Sequence, residues 1–221
     1  MQASKNLPAV PRAPRAPAGK RQERAILTRK LLTDAARRIF ARCGFDLTRV
    51  EDIAAAAGKT RGAFYANFRD KEDVFFAIFE EDKSRDIEEM TPRLSEALTP
   101  EDRVEALACH LLEVMRDHAR MQLALEFKQY AIRHKRKQKR LADLYSAMRE
   151  RCMETNLDCL LPEFARASAA ERRTQSAQIG AILEGVALNC MFDEGALSDE
   201  QVLQFLRTNL RVAMGLPSQA C

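Results

Sequence analysis

The sequence predicts an all-α protein, and three features of its 221 residues support that prediction. Hydrophobic residues make up 46% of the chain, which is enough for a substantial core. Helix breakers are sparse, because only eight Gly and eight Pro occur and four of the Pro fall within the first twenty residues. Apolar residues recur at helical spacing, and no stretch shows the sustained alternation of a strand. We therefore expect about nine helices, divided between a small N-terminal domain and a larger C-terminal one.

The chain is predicted to begin with a disordered tail followed by a long helix. Residues 1–20 are rich in Pro, Ala, Lys and Arg and contain no acidic residue. A first helix then runs from about Gln22 to Cys43, where Gly44 ends it. Its predicted buried stripe comprises Leu32, Ala35, Ala36, Ile39, Phe40 and Cys43.

Two short helices joined by a tight turn are predicted between Thr48 and Lys71. Thr48 stands three residues before Glu51, which is the spacing of a capping box at a helix start. Gly58 ends this helix, because Gly adopts the left-handed conformation at no steric cost. Thr60 is the N-cap of a second helix of about two turns. The buried face of that helix carries Phe64 and Phe68.

A fourth helix is predicted to begin at the N-cap Asp70 and to join the two parts of the chain. Its first turns carry Phe75, Phe76 and Phe79, which we interpret as core that packs this helix onto the first one. Residues 80–89, EEDKSRDIEE, are so polar that we expect them to form an exposed bridge.

Capping signals predict further helix starts in the C-terminal part. Helical patterns also cover residues 121–132 and 141–159. The basic run between them, residues 133–140, is predicted to be a solvated loop or helix end, an interpretation that we favour over a DNA contact. The capping residues are Thr99, Ser168 and Ser198.

The charge is unevenly distributed along the chain. Residues 1–73 hold 16 basic and 8 acidic residues, whereas residues 74–221 hold 20 basic and 24 acidic residues. A basic N-terminal part on an acidic remainder is typical of a DNA-binding domain attached to another domain. The basic tail side chains at positions 5, 12, 15 and 20 have the charge to follow a DNA groove, although we favour a tail that contacts nothing.

Three motifs resemble those of the TetR-type transcriptional regulators. They are LLTDAARRIFARCGFDLTRVEDIA, AGKTRGAFYANF and DKEDVFFAIF, and the detailed match extends over roughly residues 22–80. The chain departs from the family at Lys59, where an apolar residue is usual, and at Asn67, where His is frequent. The resemblance implies a helix-turn-helix whose second helix enters the major groove of DNA.

Individual side chains of this motif are predicted to divide between base and phosphate contacts. The fork of Arg61 fits guanine acceptors, and the methyl group of Ala63 fits a thymine methyl. The resemblance supports phosphate contacts by Tyr65, Lys71 and Thr48. Helix capping alone is enough to explain Thr60, and close packing alone is enough to explain Gly62. Neither residue requires a DNA contact. The full predicted set is Thr48, Lys59, Thr60, Arg61, Gly62, Ala63, Tyr65, Asn67 and Lys71.

One short recognition helix spans few base pairs, so a homodimer on a palindromic operator is predicted. The last two helices carry a thin Gly/Ala face beside apolar stripes, and the resemblance implies a four-helix interface there. Inward packing of the stripes is the alternative. The predicted interface residues are Gly180, Leu183, Gly185 and Phe205.

The resemblance also implies a pocket for a small apolar effector within residues 100–165. Such an effector shifts the protein only if it prefers the conformation that does not bind DNA. Ordinary core, or surface in the case of His110, is the competing interpretation for each candidate. The candidate lining residues are Cys109, His110, Met115, Phe127 and Tyr130.

The sequence speaks against catalysis, cofactors, bound metal and membrane insertion. We find no nucleophile arrangement, phosphate-binding loop, CxxC pair or zinc-like Cys/His spacing, and the six Cys mostly occupy apolar patterns. Neither a signal peptide nor a membrane span is evident, so a cytoplasmic protein is expected.

The predicted organisation is a tail over residues 1–20, a DNA-binding domain over 21–69, and an effector-binding and dimerisation domain over 70–216. The predicted function is that of a ligand-responsive transcriptional regulator, specifically a repressor released by its effector. The alternative is a helical small-molecule-binding or redox-sensing module that does not bind DNA.

Overall fold

The computed structural model describes residues 18–154, 160–165 and 167–217, and within these ranges all regular secondary structure is helical. The prediction of an all-α fold is confirmed. Most of the predicted tail, and Cys159 and Cys221, lie outside the described residues. The helices are α1 (Ala18–Cys43), α2 (Val50–Ala56), α3 (Arg61–Tyr65), α4 (Lys71–Glu96), α5 (Pro100–Arg116), α6 (His118–Arg133), α7 (Lys135–Glu154), α8 (Pro162–Ala165), α9 (Ala169–Phe192) and α10 (Asp199–Ala213).

Most helix starts follow the predicted capping residues. The hydroxyls of Thr60, Thr99, Ser168 and Ser198 each accept a hydrogen bond from the backbone N–H three residues later. The carboxylate of Asp70 caps α4 in the same way. These predictions are confirmed because a cap depends only on residues that are close in sequence.

The start of α2 differs from the prediction by one residue. The N-cap is Arg49, whose backbone N–H donates to Asp52 Oδ2 at 3.2 Å. Thr48 is buried, and its hydroxyl instead donates to the carbonyl of Gly44 at 2.6 Å. The predicted capping box at Thr48 was therefore wrong, because this hydroxyl closes the preceding turn.

Two hydrophobic clusters form the interior. The first joins α1, α2, α3 and the first half of α4 to α6 and α7, and the second joins the second half of α4 to α5, α9 and α10. The predicted contact of the α4 aromatics with α1 is only part of the first cluster. Phe75 also stacks on Phe127 of α6, with ring centroids 3.7 Å apart and planes 3° apart. Helix α6 is therefore part of the same core as the N-terminal helices.

The polar segment 80–89 is not the exposed bridge that its composition predicted. It continues α4, and its Asp82 and Asp86 side chains are buried. Basic side chains from α1, α4 and α6 surround them. The prediction was wrong because the cationic partners on α1 and α6 lie about 35 to 45 residues away in sequence.

The basic run 133–140 occupies a helix end, as predicted. His134 separates α6 from α7, and the following residues form the first turns of α7. Lys137 is paired internally, since its ammonium donates to Glu72 at 2.6 Å and to the Tyr130 hydroxyl at 2.8 Å.

None of the helices in the described ranges combines the length and apolar character that crossing a membrane requires.

Candidate functional site

Helix α3 presents its N-terminal end to solvent and buries its opposite face. The hydroxyl of Thr60 accepts from the Ala63 N–H at 3.1 Å, and Gly58 adopts a φ of +63° in the preceding turn. Phe64 is fully buried, and Phe68 just beyond the helix is almost fully buried. The burial of Phe64 and Phe68 thus fixes which face of α3 is exposed to solvent.

Arg61 is the most prominent cation on the exposed end of α3. Its guanidinium forms an ion pair with Glu51 of α2 at 3.1 Å and lies 5.4 Å from the ring centroid of Tyr65. The hydrogen bond to Tyr65 and the charge of Glu51 both raise the pKa of Arg61. The side chain is 64% exposed, so a phosphate or a base edge can replace Glu51 without opening the core.

Asn67 and Arg29 hold α3 against α1. The Asn67 side-chain amide donates to the Ala63 carbonyl at 2.8 Å, and the Asn67 backbone carbonyl accepts from the Arg29 guanidinium at 3.1 Å. The Arg29 guanidinium also lies 4.3 Å from the ring centroid of Phe68. Asn67 therefore already makes internal contacts that a DNA contact has to accommodate.

Close packing within the protein does not explain Gly62. A Cβ placed there meets only the Thr60 hydroxyl, at an ordinary 3.7 Å. The packing alternative considered for Gly62 was therefore wrong. The absent side chain instead lowers the surface beside Arg61, where another molecule has access.

Lys71 and Thr48 are directed into the protein. The Lys71 ammonium donates to the carbonyls of Phe45 at 2.8 Å, Asp46 at 2.6 Å and Thr48 at 3.3 Å. Burial is the largest influence and lowers the pKa of Lys71. In this conformation Lys71 clamps the α1–α2 loop to the start of α4, and its predicted phosphate contact stays a prediction.

The same loop is held by a carboxylate from α6. Glu126 accepts from the Phe45 N–H at 2.6 Å. Gly44 turns with a φ of +77°, and a Cβ at that position would lie 3.0 Å from Glu126 Oε2. The position of α6 is thereby linked directly to the N-terminal domain.

Arg49 is the exposed cation that the sequence-based prediction missed. It stands at the N-cap of α2, where the prediction had placed Thr48. The spacing of Arg49 to Asp52 was the available signal, but an Arg at an N-cap is rare. Lys59, half-exposed in the turn, adds a further basic side chain near α3.

Comparison with known proteins identifies this N-terminal segment. Residues 32–78 match the family model of bacterial regulatory proteins of the tetR family. Over these residues the chain is therefore similar to the TetR-type regulators. Over 63 residues the chain is 44% identical to the HTH-type transcriptional regulator AcrR of Shigella flexneri, a match that covers 28% of this chain and 29% of AcrR. The chain thus spans less than a third of that relative's length.

Solved structures extend the likeness of the fold beyond this TetR-type domain. Salmonella enterica GusR superposes with a TM-score of 0.62 at 23% identity, covering 85% of this chain and 95% of GusR. The regulator FadR of Bacillus subtilis, solved in complex with stearoyl-CoA, gives a TM-score of 0.57 at 19% identity. That match covers 86% of this chain and 99% of FadR. At these identities the likeness concerns the fold.

A buried ionic cluster joins the TetR-type domain to the C-terminal helices. Asp82 of α4 accepts from Arg37 of α1 at 2.9 Å, and Asp86 accepts from both terminal nitrogens of Arg120 on α6 at 2.8 and 2.6 Å. Burial alone would raise the pKa of Asp86, but hydrogen bonds from Arg120 and the charge of Lys83 lower it to about 2. The Asp86 carboxylate is therefore ionised at neutral pH, and the two aspartates tie α4 to α1 and α6.

A partly open cavity of about 80 Å³ lies beside this cluster. Its lining comes from α4, α5, α6, α7 and α9. None of the five predicted effector-contacting residues is in this lining. The lining residues are Phe75, Ile78, Phe79, Asp82, Lys83, Val114, Arg120, Met121, Leu123, Ala124, Tyr145, Gly180, Leu183 and Glu184.

Each of the residues that were predicted to contact the effector has another role in this structure. Met115 and Phe127 are core side chains, and the Tyr130 hydroxyl donates to Glu72 at 2.7 Å. Cys109 contacts Glu105 at 3.4 Å, and burial together with Glu105 raises the pKa of its thiol. His110 was expected at the surface as the alternative to a pocket, but it is buried with Nε2 3.7 Å from Asp86.

The four predicted interface residues divide between two faces. Gly180 and Leu183 both line the cavity, but only Leu183 belongs to the buried residues of α9. The assignment of Leu183 to a dimer surface was therefore wrong, whereas that of Gly180 stays a prediction. Gly185 has open space around it, and Phe205 of α10 is 45% exposed.

The exposed face of α9 has an apolar character. Small residues follow one another at four-residue spacing, and large apolar side chains continue the same face. Phe192 is the most exposed of them, at 90%. This face comprises Ala177, Ala181, Gly185, Leu188 and Phe192.

No group of three or more His, Cys, Asp or Glu side chains among the described residues is arranged to hold a metal ion.

Proposed function

We propose that the chain is a ligand-responsive transcriptional regulator that binds operator DNA through α3. The observation that carries this proposal is the exposed face of α3, where Arg61, Gly62 and Tyr65 lie clear of the anchored apolar face. An arginine fork beside a position without a side chain suits a base edge in the major groove. Arg49 and Lys59 supply further charge for phosphate contacts.

A homodimer is part of the proposal. The apolar face of α9, together with Phe205 and Val212 of α10, offers a self-complementary surface for close helix packing. Two copies related by a two-fold axis would present two α3 helices to half-sites about 34–36 Å apart, or slightly further. The expected operator is therefore palindromic.

We further propose that the protein acts as a repressor released by a small effector. The FadR structure contains stearoyl-CoA, which supports the capacity of this fold to hold an apolar molecule. The cavity beside the ionic cluster is the site for the effector in this chain. An effector that fits better when α4 and α6 have moved would favour the conformation that releases DNA.

Selection of binding sites from random duplex DNA tests the recognition of DNA. We expect Arg61→Ala to relax the preference at one or two positions of each half-site, by about 1–3 kcal/mol per position. Tyr65→Phe should lower affinity for all sequences alike, because a phosphate contact carries no sequence information. An unchanged motif for Arg61→Ala beside an altered one for Tyr65→Phe would reverse the assigned roles.

The salt dependence of affinity provides a second measurement on the wild-type protein. If a dimer neutralises about six phosphates, log K should fall against log[salt] with a slope of about −5. A complete lack of DNA binding in such titrations would favour the alternative, a small-molecule-binding or redox-sensing module. The raised pKa of the Cys109 thiol speaks against redox sensing at that residue.

A matched pair of lysine substitutions tests the dimer. Phe205→Lys should yield a folded monomer in sedimentation, because Phe205 is half-exposed in a single copy. Leu183→Lys should unfold the protein instead, because it would bury an unpaired charge beside the cavity. A wild-type monomer at micromolar concentration would contradict the proposed dimer.

A further inference from the structure

The cavity beside the ionic cluster combines aromatic walls with a charged end. Phe75, Phe79 and Tyr145 supply rings, whereas Lys83 and Arg120 supply cations. Its volume of about 80 Å³ is roughly half of the ~150 Å³ cavity that accepts benzene in an engineered protein. A ligand with a short tail therefore enters with limited displacement of the walls.

The acidic side chains of the lining already have cations of their own. Asp82 is bound by Arg37 at 2.9 Å and by Arg85 at 3.0 Å, and neither of these arginines lines the cavity. Glu184 is bound by Lys128 at 2.5 Å, again from outside the lining. A cationic ligand would have to compete with these partners for both carboxylates.

The basic side chains of the lining share one main carboxylate. Lys83 lies 3.2 Å from Asp86, and Arg120 binds the same Asp86 at 2.8 and 2.6 Å. The Nε atom of Arg120 is 3.7 Å from Asp82, which is beyond hydrogen-bond distance. Two cations thus share Asp86 as their hydrogen-bonded carboxylate, and a ligand carboxylate would compete with Asp86 for Arg120.

We propose that this cavity binds a small organic carboxylate, whose carboxylate pairs with Arg120 and whose apolar tail packs among the three rings. Arginine suits this role because its planar fork binds carboxylates in a bidentate manner and stays charged when buried. The regulatory part of this inference rests on the proposed function, because it names the chemical class of the effector.

Binding at Arg120 would reach the N-terminal domain through a short series of contacts. Arg120 holds α6 to Asp86 of α4, and Asp82, one turn earlier on α4, holds Arg37 of α1. A ligand carboxylate that competes for Arg120 weakens the tie between α6 and α4. Glu126, further along α6, contacts the α1–α2 loop, so movement of α6 would also displace that loop.

Calorimetry on the wild-type protein tests the chemical class without using DNA. The probes are butyrate and benzoate, each beside its uncharged amide and the amine of matching size, at ionic strength matched with sodium chloride. We expect each carboxylate to bind about tenfold or more tightly than its amide, because a charge-assisted bidentate pair replaces a neutral contact. Equal binding of acid and amide, tighter binding of the amine, or no binding by any probe would overturn the proposal.

Two double variants locate the carboxylate site. Arg120→Gln with Asp86→Asn removes the pair together, so that neither charge stays buried alone. We expect it to keep the helical circular dichroism spectrum and to lose the preference for carboxylate over amide. The control, Arg103→Gln with Glu163→Gln, removes another largely buried pair that lies outside the cavity, and it should keep the preference. Retained preference in the first variant would contradict the site.

Gel-shift assays with the same probes separate the two proposals. Release of DNA by butyrate or benzoate, but not by the amides, supports both the site and its regulatory role. A carboxylate preference that Arg120→Gln with Asp86→Asn abolishes supports the site even when no DNA is bound. Carboxylate binding at this site without any DNA binding would count against the proposed function and would leave the carboxylate site supported.

Discussion

Two charge-rich segments of the chain, residues 48–71 and residues 80–89, use their charges in opposite ways. The first exposes Arg49 and Arg61 on the surface around α2 and α3. The second buries Asp82 and Asp86 within α4 and surrounds them with cations. Exposed cations are available to a partner molecule, whereas buried pairs fix the relative positions of helices. In the proposed regulator the exposed cations would contact DNA, and the buried pairs would carry movement from one helix to another.

The exposed set is loosely held and the buried set is closely bound. Arg61 forms a solvent-exposed ion pair with Glu51, a kind of contact that contributes little to stability. Asp86 receives two hydrogen bonds from Arg120 and one from Lys83 in a buried setting. Breaking such a buried pair from one side leaves an uncompensated charge, which is strongly destabilising.

The largest effect is expected for Asp86→Ala. This change leaves Arg120 largely buried without its bidentate partner, and we expect the free energy of unfolding to fall by about 3–5 kcal/mol. Urea unfolding followed by circular dichroism measures it. The control Glu88→Ala removes an exposed carboxylate from the same segment and should change stability by less than about 0.5 kcal/mol. Equal effects of the two substitutions would show that the buried carboxylate contributes no more to stability than the exposed one.

A smaller loss of stability is expected for Lys71→Ala. Its ammonium satisfies three carbonyls of the α1–α2 loop, and we expect the free energy of unfolding to fall by about 1–3 kcal/mol. Lys59→Ala is the matched control, because Lys59 is half-exposed in the turn before α3. It should lower DNA affinity with stability unchanged. Unchanged stability in Lys71→Ala would leave the phosphate contact as its main role.

The fold was predictable where the deciding residues are neighbours in sequence. Thr60, Asp70 and Ser198 each cap a helix with a partner three residues away, and these starts were predicted correctly. The exposed face of α3 followed from the burial of Phe64 and Phe68 by the same local logic.

The remaining features depend on residues that are distant in sequence. Nothing near Asp86 indicates that Arg120 reaches it from α6. The apolar stripes of α9 do not reveal which of them faces inward, so Leu183 was assigned to the wrong face. Lys71 looked like a surface cation because its three carbonyl partners belong to a loop more than twenty residues earlier.

A pH-dependent effect is expected from His110, which borders the buried cluster. Burial lowers its pKa below the ordinary 6.5, although Asp86 and Glu113 oppose that shift and Arg93 and Lys83 add to it. Below about pH 6.5 the unfolded chain takes up a proton that the folded protein does not yet bind. The free energy of unfolding should therefore decrease as the pH falls below about 6.5.

Substitution isolates this contribution. The variant His110→Gln should lose less stability than the wild type between about pH 6.5 and 5, a range in which the ionised Asp86 with a pKa of about 2 does not change. The variant His118→Gln, at an exposed position, should follow the wild type. Parallel curves for the wild type and His110→Gln would show that His110 does not contribute.

The smallest effect concerns the exposed segment, where Glu51 holds Arg61 in the absence of DNA. Glu51→Gln frees the guanidinium and removes a negative charge near the proposed phosphate contacts. Because an exposed pair is weak and screened by salt, we expect DNA affinity to rise by about two- to fivefold at low salt and by less at high salt. The control Glu96→Gln removes the same charge from the exposed far end of α4 and should leave affinity unchanged. Fluorescence titration distinguishes three outcomes. A rise in Glu51→Gln alone means that Glu51 competes with DNA for Arg61, equal rises in both variants mean that only net charge matters, and a fall means that Glu51 orients Arg61 for its base contact.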